Sequence, residues 1–520
     1  MANKNNKVDN DIKRGFFISF FVLVGKVLGF IKQAIIAWAF GADGSTDVLF
    51  AADGYTSMFA QITNQSVAPA VLTHTVSLSE TEKQEESINL VRSAFIFFPV
   101  VALIICGISV LFSPLISSLI GFSYSVDQKN TLRIFLIALC PVIFLSSITG
   151  VSQGYLESKH IFLPGKIFSF LISCFMIVFV VLFHNTLGVT SLLLGLLFSY
   201  LAHCILMLFF VNRRFKFKFV NPFKNKYFIS LLQKFIPLLI SISIIDFGHL
   251  IDRIIASSME TGSVSILYYG QVVSNDIVNA AVILVISTIL LPNLTKKIAT
   301  KTSSDELVTI IRSILIFVFI TICMIAGLYV VEGKELVSVF FERGKFASSD
   351  SAKVYQVAIA YACGFIFLAL YEVLSKIHYA FSDTFWPMIG SIIAVVINTI
   401  LSLVLCQYVG VWGIAAATSI SLLLASTFLF FTLKRHIHIK IINIQMLKSL
   451  VKVLFSFAFA CIYVRLLQTV RPIYNNVLSL LIFSLAFIVF YSLCLFLLKQ
   501  KEFINALSTI RKKMFKKKNL

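Results

Sequence analysis

The first apolar stretch of this 520-residue chain carries two lysines, Lys26 and Lys32, six residues apart on adjoining helical faces, with Gln33, Gly25 and Gly29 close by. An ionisable group within a membrane span costs about 2.5–3.5 kcal/mol on insertion scales, so such residues face a cavity, a partner or the interface. Two ammonium groups here are suited to an anionic diphosphate, and Lys32 is equally suited to snorkel toward a headgroup region. The next stretch is unusually wet: Asp47, Asp53, Gln61, Asn64 and Gln65 lie on it, and Gly54 and Pro69 loosen its backbone, as in a bendable cavity-lining helix. Further on, Asp246, His249 and Arg253 share one helical face. A deep Asp246 carboxylate suits coupling to a monovalent cation or a proton, with His249 as relay. Asp252 with Arg253 reads as well as an interfacial ion pair as a binding pair. Gln271, Asn275 and Asn279 follow one stripe with Asp276 adjacent, and Glu372 with Lys376 reads as a structural pair.

Other chemistry is missing. There is no Walker loop, HExxH or nucleophile elbow, and no soluble segment is long enough for a nucleotide-binding domain, so neither a nucleotide partner nor catalysis is expected. A membrane glycosyltransferase or polymerase is the enzymatic alternative. Its acids would be Glu332, Glu335 and Glu342 in the stretch 331–353, which lie among lysines and read as a solvated connector. The nine cysteines are isolated in apolar segments, with no CxxC and no histidines at ligand spacing, so no metal and no cofactor is expected.

The elements that must position these residues are transmembrane helices. The chain is 58% apolar and 13% charged with a mean hydropathy of +0.93, too apolar for water to be its solvent. Windows of about 20 apolar residues recur near 15–40, 46–72, 90–118, 130–155, 161–183, 187–211, 228–257, 264–292, 305–330, 354–380, 385–407, 410–433, 446–468 and 475–498. The formal charge of +20 falls in alternate loops, which marks topogenic charge rather than a nucleic-acid partner. Arg213, Arg214, Lys216, Lys218, Lys224 and Lys226, then Lys296, Lys297 and Lys301, then Lys434, Arg435 and Lys440, and the tail from Lys499 to Lys518 place both termini in the cytoplasm. Loops 41–47, 184–187 and 258–263 carry no Lys or Arg, whereas the exterior stretch 331–353 breaks the pattern.

The chain also repeats itself. Tyr155, Pro164 and Gly188-Val189 return as Tyr379, Pro387 and Gly410-Val411, and Gly44-Ser45, Asp47 and Pro69 return as Gly262-Ser263, Ser265 and Pro292. The fold expected is an all-α polytopic membrane protein of about fourteen helices: two parallel six-helix lobes plus two C-terminal helices. Its parts are a cytoplasmic segment 1–14, an N-lobe 15–212, a basic linker 213–227, a C-lobe 228–433, two further helices within 434–498 and a basic tail 499–520.

Val27-Leu28-Gly29-Phe30 with Lys32, Phe40-Gly41-Ala42, Thr46-Asp47, Asp252-Arg253, Gly262-Ser263-Val264, Leu290-Leu291-Pro292 and the run Phe341-Glu342-Arg343-Gly344-Lys345-Phe346 resemble the MviN/MurJ family of lipid II flippases in the MOP exporter superfamily. The resemblance covers roughly residues 10–435 and implies export of an undecaprenyl-diphosphate-linked cell-wall precursor for peptidoglycan by rocking of two lobes in the cytoplasmic membrane. It also implies a cavity lined by arginines. Here Lys26 and Lys32 stand at the positive positions of the first span, and about Gln61 and Val272 stand where arginine is common. A divergent member could therefore carry another polyprenyl-linked glycan, such as an exopolysaccharide unit. A cationic-drug exporter of related fold would call for acids in the first lobe, against which Lys26 argues.

Overall fold

The computed structural model describes residues 2–80, 83–213, 215–275, 277–278, 297–298, 304–381, 383–436, 441–473, 475–505 and 508. Arg214, Asp276, Asn279, Pro292, Lys296, Lys301, Lys440 and most of the basic tail lie outside the described residues, as do the side chain of Asn64 and those before residue 20.

All regular structure among the described residues is helical: α1 (Ala2–Phe40), α2 (Gly44–Ile62), a π turn (Thr63–Val67), α3 (Ala68–Glu80), α4 (Gln84–Leu111), α5 (Ser113–Ile120), α6 (Val126–Ser158), α7 (Leu163–Lys166), α8 (Phe168–Leu187), α9 (Thr190–Asn212), α10 (Lys226–Ser257), α11 (Ser263–Val273), α12 (Ser304–Phe341), α13 (Ser348–Ala362), α14 (Phe365–Ala380), α15 (Phe385–Val409), α16 (Trp412–Thr432), α17 (Ile444–Val470) and α18 (Asn476–Leu497). Their ends follow from local chemistry. Asp43 opens α2 with a reciprocal capping box to Thr46, and Ser125 opens α6 in the same way with Gln128. Asn225, Asn443 and Asn475 cap α10, α17 and α18. The repeat read from the sequence reappears in the backbone: Gly188 (φ 55°) ends α8 and Gly410 (φ 75°) ends α15, each followed at once by a second helix.

Among the described residues ten helices are long and apolar enough to cross a bilayer, or eleven if α13 and α14, bent by 48° at their junction, count as one span. These eleven match expected spans. Of the other three, 46–72 is divided between α2, the π turn and α3, 228–257 falls on the single helix α10, and 264–292 begins as α11 and runs beyond the described residues. Leu103, Ile104, Leu111 and Ile205 stand exposed on helix faces, as they must where lipid is the solvent.

The chain divides into two compact units, one of residues 1–265 with 343–347, the other of 266–342 with 348–520. In the first, α6 is the central strut, packed against α2, α3, α4 and α9, while α8 lies against α1 and α9, and α10 lies along α2. Gly154 brings α6 so close to α3 that a Cβ would lie 2.5 Å from the Ala68 carbonyl oxygen, the small-residue contact that lets membrane helices pack through their backbones. The core below gathers Val71, Leu90, Val151, Met207, Phe215 and Phe228. Residues 213–227 do not hang free. Phe215 packs on Phe95 and Tyr155 (ring centroids 5.7 and 5.2 Å), Phe217 on Phe95 (5.3 Å) and Phe228 on Phe97 (5.3 Å). Arg92 donates to the Lys216 carbonyl at 3.1 and 3.2 Å, and Asn225 to Ser93 Oγ at 3.2 Å. Lys83 donates to the Tyr227 hydroxyl at 3.1 Å, a bond that holds its ammonium above the usual lysine range.

In the second unit α12 is the strut, in contact with α13, α14, α17 and α18, while α16 packs on α13, α14 and α15. The stretch 331–353, expected as a solvated connector, is helical through Phe341. Its Glu332 is fully buried at a break in α12 (φ −129°, ψ 17°), where Ser479 Oγ donates to it at 3.1 Å and Gln468 Nε2 also donates to it. The buried carboxylate thus pins α17 and α18 to α12, because a charge removed from water needs such donors.

Candidate functional site

The polar residues of the first unit concentrate where α10 runs along α2. Arg253 of α10 does not turn along its own helix to Asp246. Its Nη1 donates to the Phe50 carbonyl at 2.7 Å and lies 4.0 Å from Asp53 Oδ2. Gly54 makes this possible, since a Cβ there would occupy the guanidinium position. The sequence assigned Gly54 to flexibility, and the structure gives it the task of admitting an arginine. Lys32 also acts electrostatically on Asp53, so this carboxylate sits between two cations from α1 and α10. Such an arrangement pairs charges of both signs within an apolar segment and leaves one positive charge over. His249 lies within electrostatic reach of the same Arg253.

Asp47, expected to meet substrate, has other partners. It is 2% exposed, and its Oδ2 accepts the Gly262 N–H at 2.7 Å while its Oδ1 accepts the Ser265 N–H at 2.7 Å and hydroxyl at 2.6 Å. The Ser265 hydroxyl also lies 2.9 Å from Thr46 Oγ1. Both carboxylate oxygens are committed to a junction between the start of α2 and the turn before α11. Beside it, Lys345 donates its N–H to the Trp38 carbonyl at 3.0 Å, seating the run Arg343–Ala347 on the end of α1. Gly344 (φ 60°) and Gly41 (φ 69°) face Trp38 and Lys345 so closely that neither position accepts a side chain. Arg343–Phe346, the latter part of the family-like run Phe341-Glu342-Arg343-Gly344-Lys345-Phe346, is therefore a turn shaped to fit α1. Ser257 at the end of α10 donates to the Ile120 carbonyl at 2.7 Å on the same side of the unit.

The other expected residues are distributed as follows. Lys26 is exposed on α1 and Lys32 half-buried one and a half turns on. Gln61 is exposed at the end of α2, where Gln65 donates to its side-chain oxygen across the π turn that also carries Asn64. Asp246 is half-buried on α10, and its Oδ2 is enclosed with no hydrogen-bond partner among the described residues. Gln271 and Asn275 belong to the second unit, one helical turn apart, the former half-buried and the latter 6% exposed. Lys376 turns to the Tyr379 ring (5.4 Å) rather than to Glu372. Sequence reading also expected no histidine cluster, yet His378, Asp383 and His436 come together in the second unit.

Two units of packed apolar helices, with charged groups held inside the helical segments, define a polytopic membrane protein. Its fold is similar to that of a multidrug-resistance MATE transporter of the MOP superfamily in an inward-facing conformation, which aligns with a TM-score of 0.66 at 11% identity, covering 79% of this chain and 94% of that one. A lipid II flippase MurJ structure in an inward closed conformation aligns with a TM-score of 0.77 at 20% identity, covering 92% of this chain and 99% of that one. The family description "Lipid II flippase MurJ" matches residues 36–498, and the chain belongs to that family. Among relatives, the probable lipid II flippase MurJ of Vibrio cholerae is 26% identical over 437 residues, 81% of this chain and 82% of that one. The probable lipid II flippase MurJ of Borreliella burgdorferi is 22% identical over 438 residues, 82% of this chain and 84% of that one. The protein is thus a multi-pass transporter of the cytoplasmic (inner) membrane and not a catalytic enzyme.

Proposed function

We infer that this chain is a flippase that moves lipid II from the inner to the outer leaflet of the cytoplasmic membrane by alternating access. The family match over residues 36–498 carries the reading. The diphosphate enters with both termini on the cytoplasmic side and is held by Lys26, with Lys32 shared between substrate and Asp53. Gln61 and Asn64 at the π turn contact the saccharide while the polyprenyl tail stays in lipid. The junction of Asp47 with Gly262 and Ser265, and the seat of Lys345 on Trp38, act as the outer latch that must part for release. The enclosed oxygen of Asp246 supports a cation or proton as the coupling species, with His249 next along the helix.

The test is depletion of the protein in its own cells, with quantification of the undecaprenyl-linked intermediate left on the inner leaflet and Lys26→Ala as comparison. Accumulated lipid II with lysis, reproduced by the variant, supports the reading. Normal lipid II with a trapped polysaccharide precursor moves the assignment to another polyprenyl-linked glycan, the substrate that the absent arginines at Gln61 and Val272 would fit.

A further inference from the structure

Three side chains that no sequence spacing connects meet at one end of the second unit. His378 lies in the last turn of α14, Asp383 in the turn before α15 and His436 just past α16. Oδ2 of Asp383 lies 2.7 Å from His436 Nε2 and 3.3 Å from His378 Nδ1, and one donor atom from each residue falls within 4.8 Å of the other two.

Each donor is oriented from behind. Oδ1 of Asp383 accepts the N–H groups of Phe385 and Trp386 at 3.1 and 3.4 Å, which leaves Oδ2 to the imidazoles. The His436 ring stacks on Phe381 with centroids 4.9 Å apart and planes 7° apart, and Arg435 beside it is spent on the Trp386 ring (4.3 Å). His378 is fully buried, and its Nε2 lies 3.2 Å from the Leu429 carbonyl oxygen and 3.2 Å from Thr432 Oγ1. That hydroxyl already donates to the same carbonyl at 3.0 Å.

The Leu429 carbonyl oxygen only accepts, so the neutral tautomer that satisfies it carries its proton on Nε2. His378 then turns the bare lone pair of Nδ1 toward a carboxylate oxygen, and two acceptors face one another in a buried place. A cation between them resolves the conflict. The 3.3 Å separation equals the edge of a tetrahedron whose metal–ligand bonds are about 2.0–2.1 Å. Two imidazoles and one carboxylate select zinc and its first-row neighbours over magnesium or calcium. A backbone carbonyl on the far nitrogen is the outer support that metal-bound histidines use.

We propose that His378, Asp383 and His436 form a three-ligand site for a divalent transition metal of the zinc class, its fourth position open to water, tying the α14–α15 turn to the end of α16. The His436 side chain, 24% exposed, has room to move back by the roughly half an ångström that metal ligation requires.

Full-length protein in detergent, stripped with chelator, is titrated with Co²⁺ and read by its visible ligand-field bands, then with Zn²⁺ by displacement. One metal per chain with tetrahedral-type bands is expected, and His436→Gln and Asp383→Asn should each weaken binding by at least about tenfold. His160→Gln, an exposed histidine in the first unit, should change nothing. Size-exclusion profiles and melting of the metal-free variants report folding, and His436→Gln leaves the Asp383 bonds to Phe385 and Trp386 untouched. Absence of stoichiometric binding, or equal affinity in folded His436→Gln and wild type, overturns the site and leaves two imidazoles hydrogen-bonded around a carboxylate.

Discussion

Asp47 and Ser265 hold equivalent positions in the two sequence copies, and they bond to each other: the Ser265 N–H and hydroxyl both donate to Asp47 Oδ1, at 2.7 and 2.6 Å. Removing the carboxylate in Asp47→Ala leaves those donors and the Gly262 N–H without partners in a buried place, at about 1–3 kcal/mol for each unpaired group. Ser265→Ala loses one hydroxyl, worth about 1 kcal/mol. Thermal melting in detergent should rank Asp47→Ala well below Ser265→Ala, and thiol labelling of Ser263→Cys should speed up in the Asp47→Ala background. Equal melting and unchanged labelling would contradict a latch at this junction.

Arg253 reaches the Phe50 carbonyl only because residue 54 has no side chain. Gly54→Val and Arg253→Ala should therefore cost similar stability and similar transport, and the double variant should be little worse than either. Strict additivity of the two would mean that they act at separate places.

For the diphosphate, charge matters more than reach. Lys26→Ala should reduce flipping in proteoliposomes by roughly 10- to 100-fold, the equivalent of one charge-assisted contact of about 1.5–3 kcal/mol. Lys26→Arg should retain most of the activity, because a guanidinium offers the same charge with a better fork. A Lys32→Ala defect that Asp53→Asn relieves would show that Lys32 balances Asp53 as well as substrate. Full activity in Lys26→Ala would remove Lys26 from the mechanism.

Glu332 anchors both of the last two helices through Gln468 and Ser479. Glu332→Gln should be mild, since Gln468 and Ser479 can re-pair with an amide, whereas Glu332→Leu strands both partners and should cost about 1–3 kcal/mol for each. Limited proteolysis should then free a fragment containing α17 and α18. If the Leu variant melts like wild type, the carboxylate does not hold them.

Spacing alone revealed the repeat, because Gly188 and Gly410 mark backbone turns that any L side chain resists. Partner choice was hidden. Asp252 is the acid nearest to Arg253 in sequence, yet Asp53, two hundred residues earlier, receives it through helix packing that no local pattern records. Glu332 misled for a related reason: a run of charge at 331–353 reads as a wet loop, and only the arrival of α17 and α18 makes it dry. The ligand-like trio of His378, Asp383 and His436 is invisible for the same cause, since its members belong to separate helix ends.

The aromatic seam that binds residues 213–227 to α4 makes the peptide link there redundant. Phe215 and Phe228 are each buried in place, while Phe219 between them is 83% exposed. The molecule is in effect an assembly of two polypeptides that happen to be joined, so fragments 1–219 and 220–520 made separately should find each other in the membrane and copurify. Nature could have encoded it as two genes, and the seam would still bring the products together.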